Sequence, residues 1–206
     1  MERRASGLLT ALLGATSFEE AARLTLHALL ELASEQLAAS PWAHAGRILR
    51  GIVHLRPADG YRRLLAVDAQ PREDAGVEAI VPSASAWRWV AEHRCPAAVD
   101  ANLGTVKLWT DGRFAGELQL EVGRDTITNE SRVRLLAREA SHILLVPLRA
   151  PGGAIDGMVS LEADCMAAID SAFVWPELVP DAQLLADVAA PFLAALPTEQ
   201  IGRAHV

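Results

Sequence analysis

The side chains best suited to chemistry gather in a few short stretches. Trp87, Trp89, His93 and Cys95 lie close together. A flat ligand can stack on an indole there, while an imidazole and a thiol meet its polar atoms or a metal. Arg134 and Arg138 stand one helical turn apart, a spacing that can clamp a carboxylate or phosphate, and His142 follows them. Asp100 and Trp109 complete the candidate ligand-binding set. Each group also has a plainer reading. Trp87 and Trp89, two residues apart, point to different faces of a helix, so one fills the core and the other lies at the surface. An arginine pair beside Glu130 and Glu139 is more commonly a solvated face. His54 lies on the polar side of its strand and reads as a surface or dimer residue.

Other chemistries find no support. The six histidines share no HxH or HExxH spacing, so no metal site is expected, and nothing selects one of them for haem. Gly152-Gly153 and Gly157 lead into a strand instead of a helix N-terminus, which is not a phosphate loop. Neither a G-x-S-x-G elbow nor a Walker motif occurs. Cys95 and Cys165 form no CxxC pair and read as free thiols in a reducing compartment. The net charge is −7, and Lys107 is the one lysine. A groove that tracks phosphates needs concentrated positive charge, so direct nucleic-acid binding is not expected.

At 206 residues, with 51% apolar and 22% charged, the chain suits one globular domain with extensions. Arg3 and Arg4 ahead of Leu8, Leu9, Leu12 and Leu13 loosely mimic a signal peptide, but Thr10 interrupts the run and no A-x-A site follows. No apolar run is read as approaching the ~20 residues of a membrane span. A soluble, cytoplasmic protein with no membrane partner is the expectation.

The elements that must position these residues follow from periodicity. Leucines 8, 9, 12 and 13 predict a helix over residues 2–13. Ser17-Phe18-Glu19-Glu20 has the form of a capping box, and Phe18, Ala22, Leu26, Leu29, Leu30 and Ala33 continue a second helix to about Ala39. Residues 46–56 alternate, with Leu49, Gly51, Val53 and Leu55 on one side, and residues 61–69 return as the second arm of a hairpin around Pro57-Ala58-Asp59-Gly60. A short helix over 85–93 leads to a strand at 97–100. A smaller hairpin spans 105–122 around Asp111-Gly112, and 130–139 is helical. Strands at 141–149 and 154–163 are joined by Ala150-Pro151-Gly152-Gly153. Pro147 offers no ladder donor, so its strand is at an edge, bulged, or paired there through its carbonyl alone. A last helix is predicted over 180–196, opened by Pro180-Asp181 and kinked at Pro191. Hairpins with helices between them favour an α+β fold with a mainly antiparallel sheet.

In this order the stretch Ser141-His142-Ile143-Leu144-Leu145-Val146-Pro147-Leu148-Arg149, then Pro151-Gly152-Gly153, then Ile155-Asp156-Gly157-Met158-Val159-Ser160-Leu161-Glu162 resembles the paired strands of the GAF domain. There an apolar strand ends in Pro-Leu, and a second strand opens after a glycine turn. Residues 86–100 look like that family's helix leading to a Cys/Arg-Pro and a short Val-Asp strand, and residues 181–196 look like its closing helix. The resemblance covers about Thr16 to Leu196, which leaves 1–15 as a helical extension and 197–206 as a tail or the start of a linker. It implies terminal helices on one face of the sheet, often as a homodimer bundle, and a ligand pocket on the other face. It also implies an output domain or partner protein that receives the signal.

Two family signatures are missing. The Asn-Lys-Phe-Asp-Glu set of cyclic-nucleotide binders cannot be placed. Bilin binders attach pigment through a cysteine commonly followed by histidine, whereas Cys95 precedes Pro96 and Cys165 precedes Met166. The resemblance therefore implies a non-catalytic sensory domain for an unspecified small molecule, with no cofactor selected. A ligand-free dimerisation or docking module is the alternative. A thiol-dependent methionine-sulfoxide reductase is a third reading.

Overall fold

Leucine spacing decides the first helix. α1 (Glu2–Leu13) buries Leu8 and Leu12, one turn apart, while Leu9 and Leu13 remain 42% and 71% exposed. Only half of the four-leucine stripe is spent in the core. α2 (Phe18–Ala38) starts at Ser17, whose extended backbone and side chain cap it: the Ser17 hydroxyl accepts from the Glu20 backbone N–H at 3.2 Å. The Glu20 carboxylate reaches past the cap to the Thr16 N–H at 2.9 Å. The capping box is thus displaced by one residue. Phe18, Ala22, Leu26, Leu29, Leu30 and Ala33 are all buried.

The computed structural model describes residues 1–55, 63–68, 90, 93, 95–100, 105–110, 113–119, 140–149, 155–165 and 173–195. The expected turns at 57–60 and 150–153, the helix at 130–139, most of the helix at 85–93 and the tail at 197–206 lie outside these residues. The strands are β1 (Gly46–Leu55), β2 (Arg63–Asp68), β3 (Ala97–Asp100), β4 (Thr105–Thr110), β5 (Arg113–Gln119), β6 (His142–Arg149) and β7 (Ile155–Cys165). They form one seven-stranded sheet in the order β2-β1-β7-β6-β3-β4-β5, with every neighbouring pair antiparallel. With the described helices this is an α+β fold. Pro147 sits inside the sheet, opposite Met158 of β7, but β3 has already ended: its last partner on β6 is Leu145. Among the described residues no strand pairs with that side of β6 at Pro147, and such a position tolerates a missing donor.

Strand alternation sends β6 residues Leu144, Val146 and Leu148 and β7 residues Val159, Leu161 and Ala163 to one core, together with Val53 of β1. The N-terminal end of β1 departs from simple alternation. Ile48 pairs with Ala163 and Arg50 with Glu162, so Leu49 is the extra residue of a bulge. The bulge brings Ile48, and not Leu49, into that core.

α3 (Trp175–Ala195) covers the same side, packing with α1 and α2. It begins at Trp175, five residues before the Pro180 start read from the sequence, so Pro180 and Pro191 both lie inside the helix. Each is exposed, so the break a proline makes in the helix ladder lies toward solvent. By length and composition α3 is apolar enough to cross a membrane, unlike the sequence expectation, yet Leu178, Val179, Ala182, Leu185, Ala186, Ala189 and Leu193 spend its apolar side in the core. Close approach fixes the helix layer on the sheet: a Cβ at Gly51 would lie 3.0 Å from a Leu26 methyl.

Ser17→Ala should lower unfolding free energy by about 1 kcal/mol through the lost cap. Leu29→Ala should lower it by about 2–5 kcal/mol through a core cavity. Urea unfolding of the two variants checks this ranking.

Candidate functional site

The two sides of the sheet differ in what they bury. On the helix side the lining is apolar over β1, β7 and β6. The opposite side is a second apolar floor: Val90, Cys95, Ala97, Val99, Val106, Ile143, Leu145 and Met158 are buried there, with Leu108 against them. Polar groups are set into this floor. Register places Arg50 opposite Glu162, and Glu162 opposite Ile143, in one row; Ile52, Ser160 and Leu145 form the next; His54, Met158 and Pro147 form the third.

Arg50 Nε stands 3.1 Å from Glu162 Oε2, and Glu162 is only 3% exposed. His54 Nε2 and Ser160 Oγ are 3.1 Å apart, and both residues are buried. A buried carboxylate paired with a partly buried guanidinium, and a buried imidazole–hydroxyl pair, are costly to desolvate, and each needs its partner. They are the polar groups that can orient a ligand on an apolar surface.

The sequence reading missed all four. It placed His54 at the surface because its strand alternates, whereas the polar side of β1 is itself covered. The one signal available was the pairing of two strands that each carry polar residues at alternate positions, Arg50/His54 and Ser160/Glu162.

The residues singled out from sequence divide between the two sides. Cys95 lies on the floor opposite the helices and His93 is exposed. Burial pushes the Cys95 thiol above its ordinary pKa, which is contrary to an activated nucleophile. Trp109 belongs to the helix-side core, edge-on to Phe114 with ring centroids 6.1 Å apart. Asp100 and His142 face each other across β3 and β6, and Asp100 shares its side of the sheet with Thr105 of β4. This row is on the helix side, because His142 also pairs with the core residue Ala163. The structure therefore brings Asp100 and His142 together but sets them on the other side of the sheet from Cys95. Trp87, Trp89, Arg134 and Arg138 lie outside the described residues. Among the described residues no group of three or more His, Cys, Asp and Glu is placed to hold a metal.

His142 is 2% exposed and stacks on Phe173 with ring centroids 5.2 Å apart. Burial lowers its pKa below the ordinary histidine value, and the carboxylates of Asp100 and Asp164 oppose that fall.

Solved structures share this architecture. The phycoerythrobilin-bound GAF domain from a cyanobacterial phytochrome aligns with a TM-score of 0.62 over 93% of this chain and 95% of that chain, at 10% identity. A far-red absorbing dark state with bound biliverdin aligns at 0.54 over 92% of this chain and 98% of that one, at 14% identity. The chromophore-binding domain of a Stigmatella aurantiaca phytochrome aligns at 0.58 and 12% identity, over 94% of this chain and 59% of that chain. No family model and no curated protein matches the sequence. The chain has the GAF fold.

Two outcomes follow from these polar pairs. Arg50→Ala should cost about 3 kcal/mol by leaving the Glu162 carboxylate buried without its guanidinium, and the double variant with Glu162→Ala should recover part of that loss in a urea-unfolding cycle. His142 has a folded pKa below its unfolded value of about 6.5. Its contribution to stability is therefore full above that value and is lost as pH falls through the folded pKa. In pH-dependent unfolding, His142→Gln should lose less stability on acidification than the parent.

Proposed function

We propose that the chain is a non-catalytic sensory domain that binds a small organic molecule on the sheet face opposite its helices. The observation that carries this is the set of polar pairs, Arg50 with the buried Glu162 and the buried His54 with Ser160, in an otherwise apolar floor. A face that served only to pack against its cover gains little from burying a charge pair. A ligand site uses such groups to set orientation while apolar surface supplies affinity.

The ligand class suggested by the neighbours is a flat, extended molecule with polar edges, since two of them carry phycoerythrobilin and biliverdin. Cys95-Pro96 and Cys165-Met166 lack the cysteine–histidine pair of bilin attachment, so the ligand is held without a covalent bond. Burial at Cys95, which raises its pKa, favours a non-enzymatic role over thiol reduction.

Occupancy is relayed through the terminal helices. α1 and α3 present Leu9, Leu13 and Leu184 to solvent, apolar surface suited to a homodimer bundle that leads to an output module. In this reading 16–196 is the sensory domain, 1–15 its helical extension and 197–206 the start of a linker. Free Cys95 and Cys165 fit a cytoplasmic setting.

Native mass spectrometry of freshly purified protein, with an absorption spectrum, tests the reading. A bound mass that leaves on denaturation is expected. His54→Ala and Ser160→Ala should each weaken ligand binding about tenfold, as loss of one buried hydrogen bond implies. Protein that carries no bound mass, and whose Tm does not respond to added biliverdin or other small molecules, would instead fit a docking module. Light scattering that returns the mass of one chain at high concentration removes the dimer relay.

A further inference from the structure

A second polar site lies on the helix side of the sheet, away from the floor just described. Register aligns Thr105 of β4, Asp100 of β3 and His142 of β6 in one cross-strand row. Trp175, the first residue of α3, joins them around a small cavity also lined by Lys107. The space has room for about one water molecule.

Two of the side chains that line this cavity carry a nitrogen without a partner among the described residues. His142 is 2% exposed and Trp175 1%. Neither His142 Nε2 nor Trp175 Nε1 has a hydrogen-bond partner among the described residues. Buried nitrogens normally find one, and an unmade bond leaves the whole desolvation penalty standing.

Their chemistry is complementary. The indole nitrogen is a donor only. His142 Nδ1 stands 3.7 Å from Asp100 Oδ2, a carboxylate that favours the tautomer with its proton on Nδ1. Nε2 is then an acceptor. An occupant must accept from Trp175 and donate to His142. An anion gives nothing to Nε2 and meets the Asp100 carboxylate. A cation cannot accept from the indole and meets the Lys107 ammonium. A neutral molecule with both donor and acceptor capacity satisfies the set, and the Thr105 hydroxyl can serve it in either sense.

The surroundings hold this geometry in place. Phe173 adopts φ of 58°, the left-handed region that a bulky residue rarely enters. Its ring stacks on His142, meets Trp175 edge-on with centroids 5.3 Å apart, and lies where a Cβ at Gly46 would come within 2.8 Å. Strain of this kind persists where the packing over-determines it.

We propose that this cavity is a binding site for a single neutral hydrogen-bonding molecule of water size, water itself in ordinary buffer, which bridges Trp175 Nε1 to His142 Nε2. The bridge ties the first residue of α3 to the sheet. Val99 and Ile143, next in the chain to Asp100 and His142, face the opposite floor, so β3 and β6 carry both sites. The proposal stands independently of ligand binding on that floor.

Nuclear magnetic resonance of the labelled full chain tests it. At neutral pH the Trp175 indole proton should show a cross-peak to a long-lived bound water, and the imidazole correlations of His142 should show a neutral ring with its proton on Nδ1. Trp175→Phe should abolish that water signal and shift the His142 Nε2 resonance. Absence of a long-lived water at the wild-type indole would overturn the proposal. So would a His142 ring protonated on Nε2, since that nitrogen then cannot accept. Both decisive readings come from the wild-type protein, so a variant that fails to fold leaves the test intact.

Discussion

The pairing of β6 with β7 is the constraint from which the rest of the fold takes its geometry. Its register runs from His142 opposite Ala163 to Arg149 opposite Ile155. Each strand then fixes its outer neighbour, β7 aligning β1 and β6 aligning β3. A slip of one residue would turn Leu144, Val146 and Leu148 away from the helices and bring Ile143 and Leu145 toward them. Both faces are buried and apolar. In the observed register Glu162 meets Arg50, His54 meets Ser160, and His142 meets Asp100. These pairs join β7 to β1 and β6 to β3, so they hold the outer strands in register on the central pair.

The helix layer depends on this arrangement in turn. α2 and α3 lie over β1 and β6, where Gly51 allows close approach and where Gln183 of α3 donates to the Pro147 carbonyl at 3.0 Å. The same Gln183 amide donates to Asp187 Oδ1 at 2.7 Å, so one side chain links the helix to the strand and to its own next turn. Pro147 thus has a role beyond interrupting a ladder: its carbonyl becomes an anchor for α3.

Likeness to bilin-bound domains at 10–14% identity is a likeness of fold and not of shared residues. A fold of this kind hosts many ligands, and the chemistry lies in the few polar groups placed on it. Here those groups fall on two separate sides. One set lines a broad apolar floor, and the other closes a space the size of a water molecule beneath the start of α3. The positions next to Asp100 and His142 belong to the floor, so two adjacent strands serve both surfaces at once.

Much of the fold was legible in the chain because it rests on local periodicity. The capping serine at 17, the apolar spacing of α2, the strand pairs β1–β2, β4–β5 and β6–β7 and the short strand at 97–100 all follow from patterns within a few residues. The start of α3 at Trp175 was not, because Pro180 looks locally like a helix opener and only packing of Trp175 and Leu178 into the core draws the helix back. The bulge at Leu49 was hidden for a similar reason, since an extra residue shows only against its partner strand. The sites divide along the same line. Residue types alone marked Cys95, Asp100 and His142 as able to do chemistry. Whether two polar residues far apart in the chain meet, and on which face, is decided by strand register. His54 with Ser160 and Arg50 with Glu162 became visible only once the tertiary structure covered both sides of the sheet, because burial turns an ordinary polar residue into one that must have a partner.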